Sequence, residues 1–227
     1  MDLSDRTAIV TGASSGIGAA TARRLGAAGA TVALAARRED RLATVASDIP
    51  DAVVVPTDVT DADAVDALID RVGDVDLLVN NAGIGGHAAL ADGDHQAIID
   101  PIEVNLLGTI QTTQAALPTL LEADRADVVM VSSLNARHPA PTASGYTASK
   151  FGVNGFARSL RKELTDEAVR VTIVMPGPVV TELNDWSDWA GRALDPADVA
   201  DAIAFAVARP PHVEIGELTV NSRDKLD

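Results

Sequence analysis

The sequence predicts an α/β fold in which a doubly wound parallel sheet lies between two layers of helices, a three-layer α/β/α arrangement. Two observations predict it. Short apolar runs alternate along the chain with longer amphipathic runs, the pattern of repeated β-α-β units. The short runs are also apolar at consecutive positions, as expected of strands that are buried on both faces. In such sheets ligands bind outside the carboxyl ends of the strands, so residues that directly follow strands are the candidates for function.

The individual elements follow from the same pattern. The apolar runs predict strands over residues 7–10, 31–35, 53–55, 76–79, 127–131, 170–174 and 218–220. The amphipathic runs between them predict helices over residues 16–28, 39–48, 61–72, 102–121, 146–164 and 196–208. Local signals support the helix ends: Gly29 closes the first helix, Pro101 fits the first turn of the fourth, and Asp195-Pro196 caps and opens the last.

Length and composition are those of one globular domain spanning residues 1–227, with 47% apolar residues and no linker-like stretch, low-complexity tract or repeat. The N-terminus is polar and acidic and leads directly into a strand, unlike a signal peptide. No apolar run reaches the ~18 residues of a membrane helix. The absence of Cys excludes disulfides and thiolate metal sites. We therefore expect a cytoplasmic protein without a membrane association or a metal.

The charge balance is strongly acidic. The net charge is −15, from 33 acidic and 18 basic residues, which repels nucleic acid and argues against a DNA- or RNA-binding role. Of the acids 25 are Asp, whereas only three of the bases are Lys. An acidic surface of this kind stays hydrated in high salt, so a halophilic origin is one hypothesis. The alternative is a GC-rich genome that favours Arg over Lys, combined with ordinary acidity.

A glycine-rich turn, residues 11–18 (Thr-Gly-Ala-Ser-Ser-Gly-Ile-Gly), follows the first strand and opens the first helix. Glycines permit a tight turn and let the backbone approach a pyrophosphate, which rests at the helix N-terminus. The spacing is G-x-x-x-G-x-G rather than G-x-G-x-x-G, and no Gly-Lys-Ser/Thr follows as in a P-loop. Such a turn alone can be a plain strand-to-helix connection. Its place at the start of an alternating β-α pattern favours dinucleotide binding.

The end of the second strand indicates which dinucleotide is bound. A site for NAD usually has an acid there to bind the ribose 2′-hydroxyl. Here Ala36 is followed by Arg37 and Arg38, so no carboxylate repels a 2′-phosphate and two guanidiniums attract it. The sequence therefore predicts NADP(H) in preference to NAD(H). The alternative is that both arginines are merely solvated, although a helix dipole disfavours cations at a helix start.

Three side chains are candidates for the reacting centre. Tyr146 and Lys150 are four residues apart, on one face of a predicted helix. A close ammonium favours the phenolate and is expected to lower the tyrosine pKa, so that Tyr146 can exchange a proton with a carbonyl or alcohol oxygen. Ser133 follows the fifth strand, where its hydroxyl can stabilise charge on the same oxygen. Each feature alone is commonly structural: a Tyr-x-x-x-Lys helix, or a serine that caps a turn.

Taken together, these motifs resemble the short-chain dehydrogenase/reductase family over nearly the whole length, and the resemblance implies a Rossmann-type fold and a nicotinamide-dependent oxidoreductase. Ser133, Tyr146 and Lys150 resemble its catalytic set, and Asn105 its asparagine that helps to position the lysine and a proton-relay water. Asp58-Val59 resembles the pair that meets the adenine, Asn80-Asn81-Ala82-Gly83 the element after the fourth strand, and Pro176-Gly177 with Thr181 the nicotinamide segment. The implied cofactor-binding residues are Gly12, Ser14, Ser15, Gly16, Ile17, Gly18, Arg37, Arg38, Asp58, Val59, Asn81, Ala82, Gly83, Tyr146, Lys150, Pro176, Gly177, Val179 and Thr181.

The resemblance implies hydride transfer between NADPH and a small ketone or secondary alcohol, or a 3-oxo or 3-hydroxy acid. A second interpretation is reduction of 3-oxoacyl thioesters, for which Arg158, Arg161 and Lys162 could form a basic docking patch. A third, of another class, is a non-catalytic NADP(H)-binding sensor. The family also implies a homodimer or homotetramer paired through the long helices near residues 102–121 and 151–164.

The substrate side of the predicted site carries weaker signals. A short substrate loop is expected around residues 178–195, and its Trp186 and Trp189 either wall the pocket or anchor a short helix. His138 lies between Ser133 and Tyr146 in the chain and could touch substrate, while the four histidines together lack metal-ligand spacing. The family often has a glycine shortly after the catalytic serine, and this chain has none there.

Overall fold

A computed structural model describes residues 2–91, 93–183 and 193–223. Within these residues the predicted strands are all present. They are β1 (Thr7–Thr11), β2 (Thr31–Ala36), β3 (Ala52–Pro56), β4 (Leu77–Asn80), β5 (Ala126–Val131), β6 (Val169–Pro176) and β7 (Glu217–Val220). All pair in parallel, in the order β3-β2-β1-β4-β5-β6-β7. The predicted doubly wound α/β fold is confirmed.

The helices connect consecutive strands. They are α1 (Gly16–Gly26), α2 (Glu39–Ala46), α3 (Ala62–Val72), α4 (His95–Ile102), α5 (Gly108–Glu122), α6 (Ser144–Glu163) and α7 (Pro196–Val207). The side chains of α1, α2 and α7 pack on one face of the sheet, and those of α3, α5 and α6 on the other. Strand residues alternate between the two apolar clusters: Val10 faces the first cluster and Ile9 the second, as the period of two requires.

The fourth predicted helix begins earlier than the sequence indicates. Asp94 caps it, accepting a hydrogen bond from the backbone N–H of Gln96, so Pro101 lies inside the helix rather than in its first turn. α4 continues through a π-helical turn, Glu103–Leu107, directly into α5. Asp94 at the N-cap marks the start of this helix, whereas Pro101 suggests a later start. The last helix begins as predicted, with a capping box formed by Asp195 and Asp198.

Strands β1 to β3 extend the sheet to one side and β4 to β7 extend it to the other, so β1 lies beside β4 at the centre of the sheet. A crevice opens at the carboxyl ends of such neighbouring strands. A buried charge cluster lies at the opposite edge. There the carboxylate of Asp127 is bound by Arg6 at 3.0 Å and by Arg170 at 2.7 Å, and all three residues are at least nine-tenths buried. The cluster links β5, β6 and the residue before β1 at the end of the sheet opposite the crevice.

Candidate active site

The glycine-rich turn has the close backbone approach that the sequence predicts. Gly12 adopts a φ of +66°, and a Cβ there would lie 2.8 Å from the Cα of Ala82, in the turn that follows β4. A Cβ on Gly18 would lie 2.3 Å from the carbonyl oxygen of Gly12. Neither position tolerates a side chain, because the turn closes on itself and on its neighbour. The absence of a side chain at Gly18 therefore lets the turn close.

The turns after β1 and β4 are fastened to each other. The Thr11 hydroxyl accepts hydrogen bonds from the backbone N–H groups of Asn81 and Ala82, both at 3.0 Å. The Asn81 side-chain amide donates to the Thr11 carbonyl at 2.9 Å. These bonds fix the floor of the crevice at the switch point. They also give Asn81 a positioning role that its place in the family motif does not by itself specify.

A cleft of about 410 Å³ follows this edge of the sheet, a volume typical of small-molecule sites. Most of the predicted cofactor residues line it: Gly12, Ser14, Ser15, Gly16, Ile17, Arg37, Arg38, Asp58, Val59, Asn81, Ala82, Gly83, Tyr146, Lys150 and Thr181. Gly18, Pro176, Gly177 and Val179 do not. Gly177 donates its N–H to Val220 at 2.8 Å and so ties the end of β6 to β7. Val179 is buried and bridges to Leu194. These four residues lie outside the lining of the cleft.

Arg38 lies directly over the glycine-rich turn. Its guanidinium donates to the hydroxyls of Ser14 at 3.1 Å and Ser15 at 2.9 Å. The Arg38 side chain is partly exposed, and its charge faces the cleft from the end of β2. The predicted arginine and the predicted serines thus form one cluster of hydrogen-bond donors. Such a cluster suits an anion with several oxygens, such as a phosphate.

Asp58, which the family resemblance assigns to the adenine, lines the cleft together with Arg37. The backbone N–H and the hydroxyl of Thr60 both donate to the Asp58 carboxylate, at 3.0 and 2.8 Å. Chiefly through the backbone bond, and to a lesser degree through the nearby charge of Arg37, the pKa of Asp58 lies below its usual value. The carboxylate is therefore ionised at neutral pH and available as an acceptor.

The two hydroxyls of the predicted catalytic set meet. Ser133 lies two residues after the end of β5 and caps a short 3₁₀ turn, accepting from the N–H of Asn135 at 3.1 Å. Its hydroxyl is hydrogen-bonded to that of Tyr146, which lies in the first turn of α6. Burial raises the pKa of Tyr146, and the bond from Ser133 opposes that rise only in part. The expected lowering by a neighbouring ammonium is not what dominates here, because desolvation of the phenolate outweighs the attractive interactions.

Lys150 lies one helical turn from Tyr146 and is 5% exposed. Its ammonium donates to the Val131 carbonyl at 2.9 Å and lies 5.8 Å from the centroid of the Tyr146 ring. Burial lowers the pKa of Lys150 to about 8. The lysine therefore carries its charge at neutral pH, but at an energetic cost to the folded protein.

Asn105 occupies the π-helical turn and is 1% exposed. Its side chain accepts from the N–H of Ile84 at 2.8 Å and donates to the Ile84 carbonyl at 3.0 Å. The same amide donates to the Ser149 hydroxyl at 3.1 Å. In the described contacts the Asn105 side chain thus reaches the neighbour of Lys150 rather than the lysine itself. π-Helical turns recur at functional sites, and this one anchors the loop after β4 against α6.

The cleft also contains charged residues that the sequence reasoning does not assign. Glu182, which follows Thr181, pairs with Arg38 at 2.8 Å and lies 3.9 Å from Arg41. The signal for Arg41 is its position three residues after Arg38: Arg38 is the N-cap of α2 and Arg41 lies in the first turn of that helix. For Glu182 the sequence offers only its place beside a predicted cofactor residue.

The remaining sequence signals contribute less. His87 and His138 are exposed. In the part of the chain that the structure describes, no group of His, Cys, Asp and Glu is arranged to hold a metal ion. The expected substrate loop is described at residues 178–183 and 193–195 only, and Trp186 and Trp189 lie outside the described residues. No described helix is long and apolar enough to cross a membrane.

Comparison with known proteins identifies this arrangement. Residues 6–190 match the family described as short chain dehydrogenase. An uncharacterized oxidoreductase of Staphylococcus saprophyticus is 40% identical, covering 97% of this chain and 98% of its own. An alcohol dehydrogenase of the archaeon Thermococcus sibiricus, solved with 5-hydroxy-NADP, has a TM-score of 0.89 and 30% identity, with 96% and 97% of the chains covered. The 3-ketoacyl-(acyl-carrier-protein) reductase of Brucella melitensis, solved with NADH, has a TM-score of 0.89 and 28% identity, with 97% and 98% covered.

Proposed function

The chain belongs to the short-chain dehydrogenase/reductase family of oxidoreductases, and we propose that it transfers a hydride between NADP(H) and a small ketone or secondary alcohol, or a 3-oxo or 3-hydroxy acid. The observation that carries the proposal is the hydrogen-bonded pair Ser133 and Tyr146 with the buried charge of Lys150, because Tyr146 and Lys150 line the same cleft as the glycine-rich turn. This combination provides a proton, an oxyanion partner and a dinucleotide cradle together.

The residues of the cleft fit a nicotinamide dinucleotide phosphate. The close approach at Gly12 leaves room for a pyrophosphate, and α1 directs its N-terminal N–H groups toward that place. Arg38, Ser14 and Ser15 would hold the 2′-phosphate, and Asp58 with Val59 the adenine. Tyr146 and Lys150 would hold the nicotinamide ribose. When bound, NADPH supplies the hydride that reduces a carbonyl carbon.

The protein's own part in the reaction concerns the substrate oxygen. The substrate carbonyl would lie against the hydroxyls of Ser133 and Tyr146. Tyr146 donates its phenolic proton to the oxygen as charge develops on it, while Ser133 stabilises that charge by a hydrogen bond. The ammonium of Lys150 stabilises the phenolate that remains. In the direction of alcohol oxidation the same phenolate accepts the proton.

The preference for NADP(H) is tested by Arg38→Ala, with the exposed Arg71→Ala on α3 as the matched control. Nicotinamide fluorescence titrations would give Kd values for NADPH and NADH. A hydrogen bond to a charged group is worth enough that we expect NADPH to bind about tenfold more weakly or worse in Arg38→Ala, with NADH nearly unchanged. Equal changes for both nucleotides would contradict a 2′-phosphate site at Arg38.

The catalytic assignment is tested by Tyr146→Phe, with Ser144→Ala, an exposed hydroxyl on the same helix, as the control. Oxidation of NADPH should be followed with a panel of small ketones and 3-oxo acids, and NADPH binding should be titrated in parallel. We expect turnover to fall by at least about two orders of magnitude in Tyr146→Phe, because the general acid is lost, while NADPH still binds. Full activity in that variant would overturn the mechanism.

A second candidate, reduction of 3-oxoacyl thioesters, draws support from the likeness to the Brucella melitensis reductase. Docking of an acidic carrier protein requires exposed positive charge, but Arg158 pairs with Glu217 at 2.8 Å and Arg161 lies 3.6 Å from Glu214. Arg161 also donates to the Val171 carbonyl at 2.8 Å. Because these two arginines are engaged within the chain, we favour the small free substrate.

The non-catalytic NADP(H)-binding sensor is the alternative of another class. A binding protein has no use for a Ser133–Tyr146 hydrogen bond next to a buried lysine that costs stability. We therefore favour the enzyme. The assay described for Tyr146→Phe separates the two, because the wild-type form of a sensor, with Tyr146 present, would turn over none of the panel.

We also propose that the protein is a homodimer or homotetramer paired through its long helices. Leu107 is 52% exposed at the end of the π-helical turn, and Phe151 is 47% exposed on α6. Apolar side chains on neighbouring helices are suited to burial against a second copy. Light scattering of the purified protein tests this: a mass of two or four chains is expected, and a single-chain mass would contradict it.

A further inference from the structure

Glu182 places a negative charge at the point where the proposed cofactor's 2′-phosphate would bind. Its carboxylate accepts from the Arg38 guanidinium at 2.8 Å. The Arg38 guanidinium is also bonded to Ser14 and Ser15, the other donors of the proposed phosphate site. Glu182 is hydrogen-bonded to Ser15 as well. The carboxylate therefore occupies the same donors that a phosphate needs.

The chain brings Glu182 there from the far side of the cleft. Thr181 packs directly on the glycine-rich turn, since a Cβ on Gly16 would lie 3.0 Å from its methyl group. The next residue is Glu182, so the segment after β6 crosses over the turn and reaches the start of α2. No acid stands at the end of β2, but this crossing supplies one from elsewhere in the sequence.

Charges of both signs surround the Arg38–Glu182 ion pair. Arg37 and Arg41 add positive charge at the start of α2, whereas Glu39 and Asp40 in its first turn add negative charge. Mainly because Arg38 donates to it, the pKa of Glu182 lies below its ordinary value, so the carboxylate is ionised at neutral pH. Both partners of the pair are about half exposed, at 44% for Arg38 and 50% for Glu182, so the bond is one that a stronger anion can displace.

We propose that Glu182 is a specificity-determining residue that competes with the 2′-phosphate of NADPH for Arg38 and thereby narrows the preference for NADPH over NADH. This proposal rests on the proposed NADP(H) function and names a residue that weakens the binding of NADPH. NADH has no 2′-phosphate and does not need Arg38 to be released. Glu182 therefore weakens the binding of one nucleotide only.

The test is Glu182→Gln, with Glu167→Gln as the matched control. Glu167 is exposed and lies just before β6, at the opposite edge of the sheet, and its substitution makes the same change in net charge. Kd values for NADPH and NADH would be measured by fluorescence titration at low salt. Because an exposed ion pair and one nearby repulsion are removed, we expect NADPH to bind about three- to tenfold more tightly in Glu182→Gln and NADH to bind as before.

Three further measurements make the test specific. In the Arg38→Ala background the effect of Glu182→Gln should shrink, because the part that comes from the ion pair between the two residues is already lost. Thermal shifts with 2′,5′-ADP and with 5′-AMP should reproduce the difference without any nicotinamide. In molar KCl the gain should shrink, since exposed charges are screened.

The other outcomes are each decisive. Equal gains for NADPH and NADH would overturn competition at the 2′-phosphate, as would an unchanged Kd for NADPH. Weaker binding of NADH in Glu182→Gln would show that the carboxylate holds the ribose hydroxyls instead, which also overturns the proposal. Failure of the NADP(H) function itself is distinguishable, because the wild-type protein would then bind neither nucleotide or favour NADH.

Discussion

Substitution of Lys150 by Met isolates the cost of burying an ammonium group beside Tyr146. Met has a similar length, fills a similar space and carries no charge. Lys150 is 5% exposed, and its Nζ donates to the Val131 carbonyl at 2.9 Å. The variant therefore removes one buried charge and leaves one buried carbonyl without this donor.

The magnitude follows from the pKa of Lys150, which burial lowers from 10.5 to about 8. That difference corresponds to about 3 kcal/mol at neutral pH, where both the folded and the unfolded chain hold the proton. Loss of the donor to Val131 costs about 1–3 kcal/mol in return. At pH 7 we therefore expect Lys150→Met to be as stable as the wild type, or up to about 2 kcal/mol more stable, although it should be inactive.

The pH dependence gives the sharper result. Between pH 8 and pH 10.5 the unfolded chain keeps a proton that the folded chain has released, so the wild-type protein becomes more stable as pH rises. The variant has no group that titrates at this position. Relative to Lys150→Met, the wild type should gain about 2.5 kcal/mol between pH 7 and pH 10.

Urea unfolding of both proteins at several pH values and one protein concentration measures this difference, because titrations elsewhere in the chain cancel. Lys162→Met is the matched control: Lys162 is an exposed lysine on the same helix, and its ammonium stays in water. A difference between wild type and Lys150→Met that stays constant from pH 7 to pH 10 would refute the reasoning that burial sets the lysine pKa.

Three further outcomes are expected. Gly145→Ala should destabilise the protein by about 2 kcal/mol or more in urea unfolding, because its Cβ would lie 1.9 Å from the Ile98 carbonyl oxygen; an unchanged midpoint would mean that α4 and α6 separate easily. Asp127→Asn should cost about 3–5 kcal/mol in the same assay, since it leaves Arg6 and Arg170 buried without their carboxylate, and a loss below about 1 kcal/mol would show that the cluster is dispensable. If the acidic, Lys-poor surface is an adaptation to salt, the thermal midpoint should rise in molar KCl; equal stability at low salt would end that hypothesis.

The sequence predicts the fold well because the evidence for it is local and repeated. Each strand is a short run of apolar residues, and each connection has the length of a helix, so the parallel sheet follows from pattern alone. The helix start is the exception. Asp94 caps a helix that begins at His95, seven residues before the predicted start at 102, and Pro101 lies inside that helix.

The candidate site is predictable where the motif itself makes the contact. Gly12, Arg38 and Ser133 lie where the sequence places them because each lies within two residues of the end of a strand. Interactions between distant segments are not predictable in this way. Glu182 meets Arg38 across 144 positions of the chain, and the raised pKa of Tyr146 depends on burial that no motif encodes.

Transfer of deuterium from NADPH labelled at the transferred C4 position tests the central claim most directly. The labelled nucleotide would be incubated with the panel of small ketones and 3-oxo acids, with wild-type protein and with Tyr146→Phe, and the products would be analysed by mass spectrometry. We expect an alcohol with one deuterium on its carbinol carbon, formed by the wild type and not by Tyr146→Phe. NADPH that binds but is recovered unchanged across the panel, or an alcohol without deuterium, would contradict it.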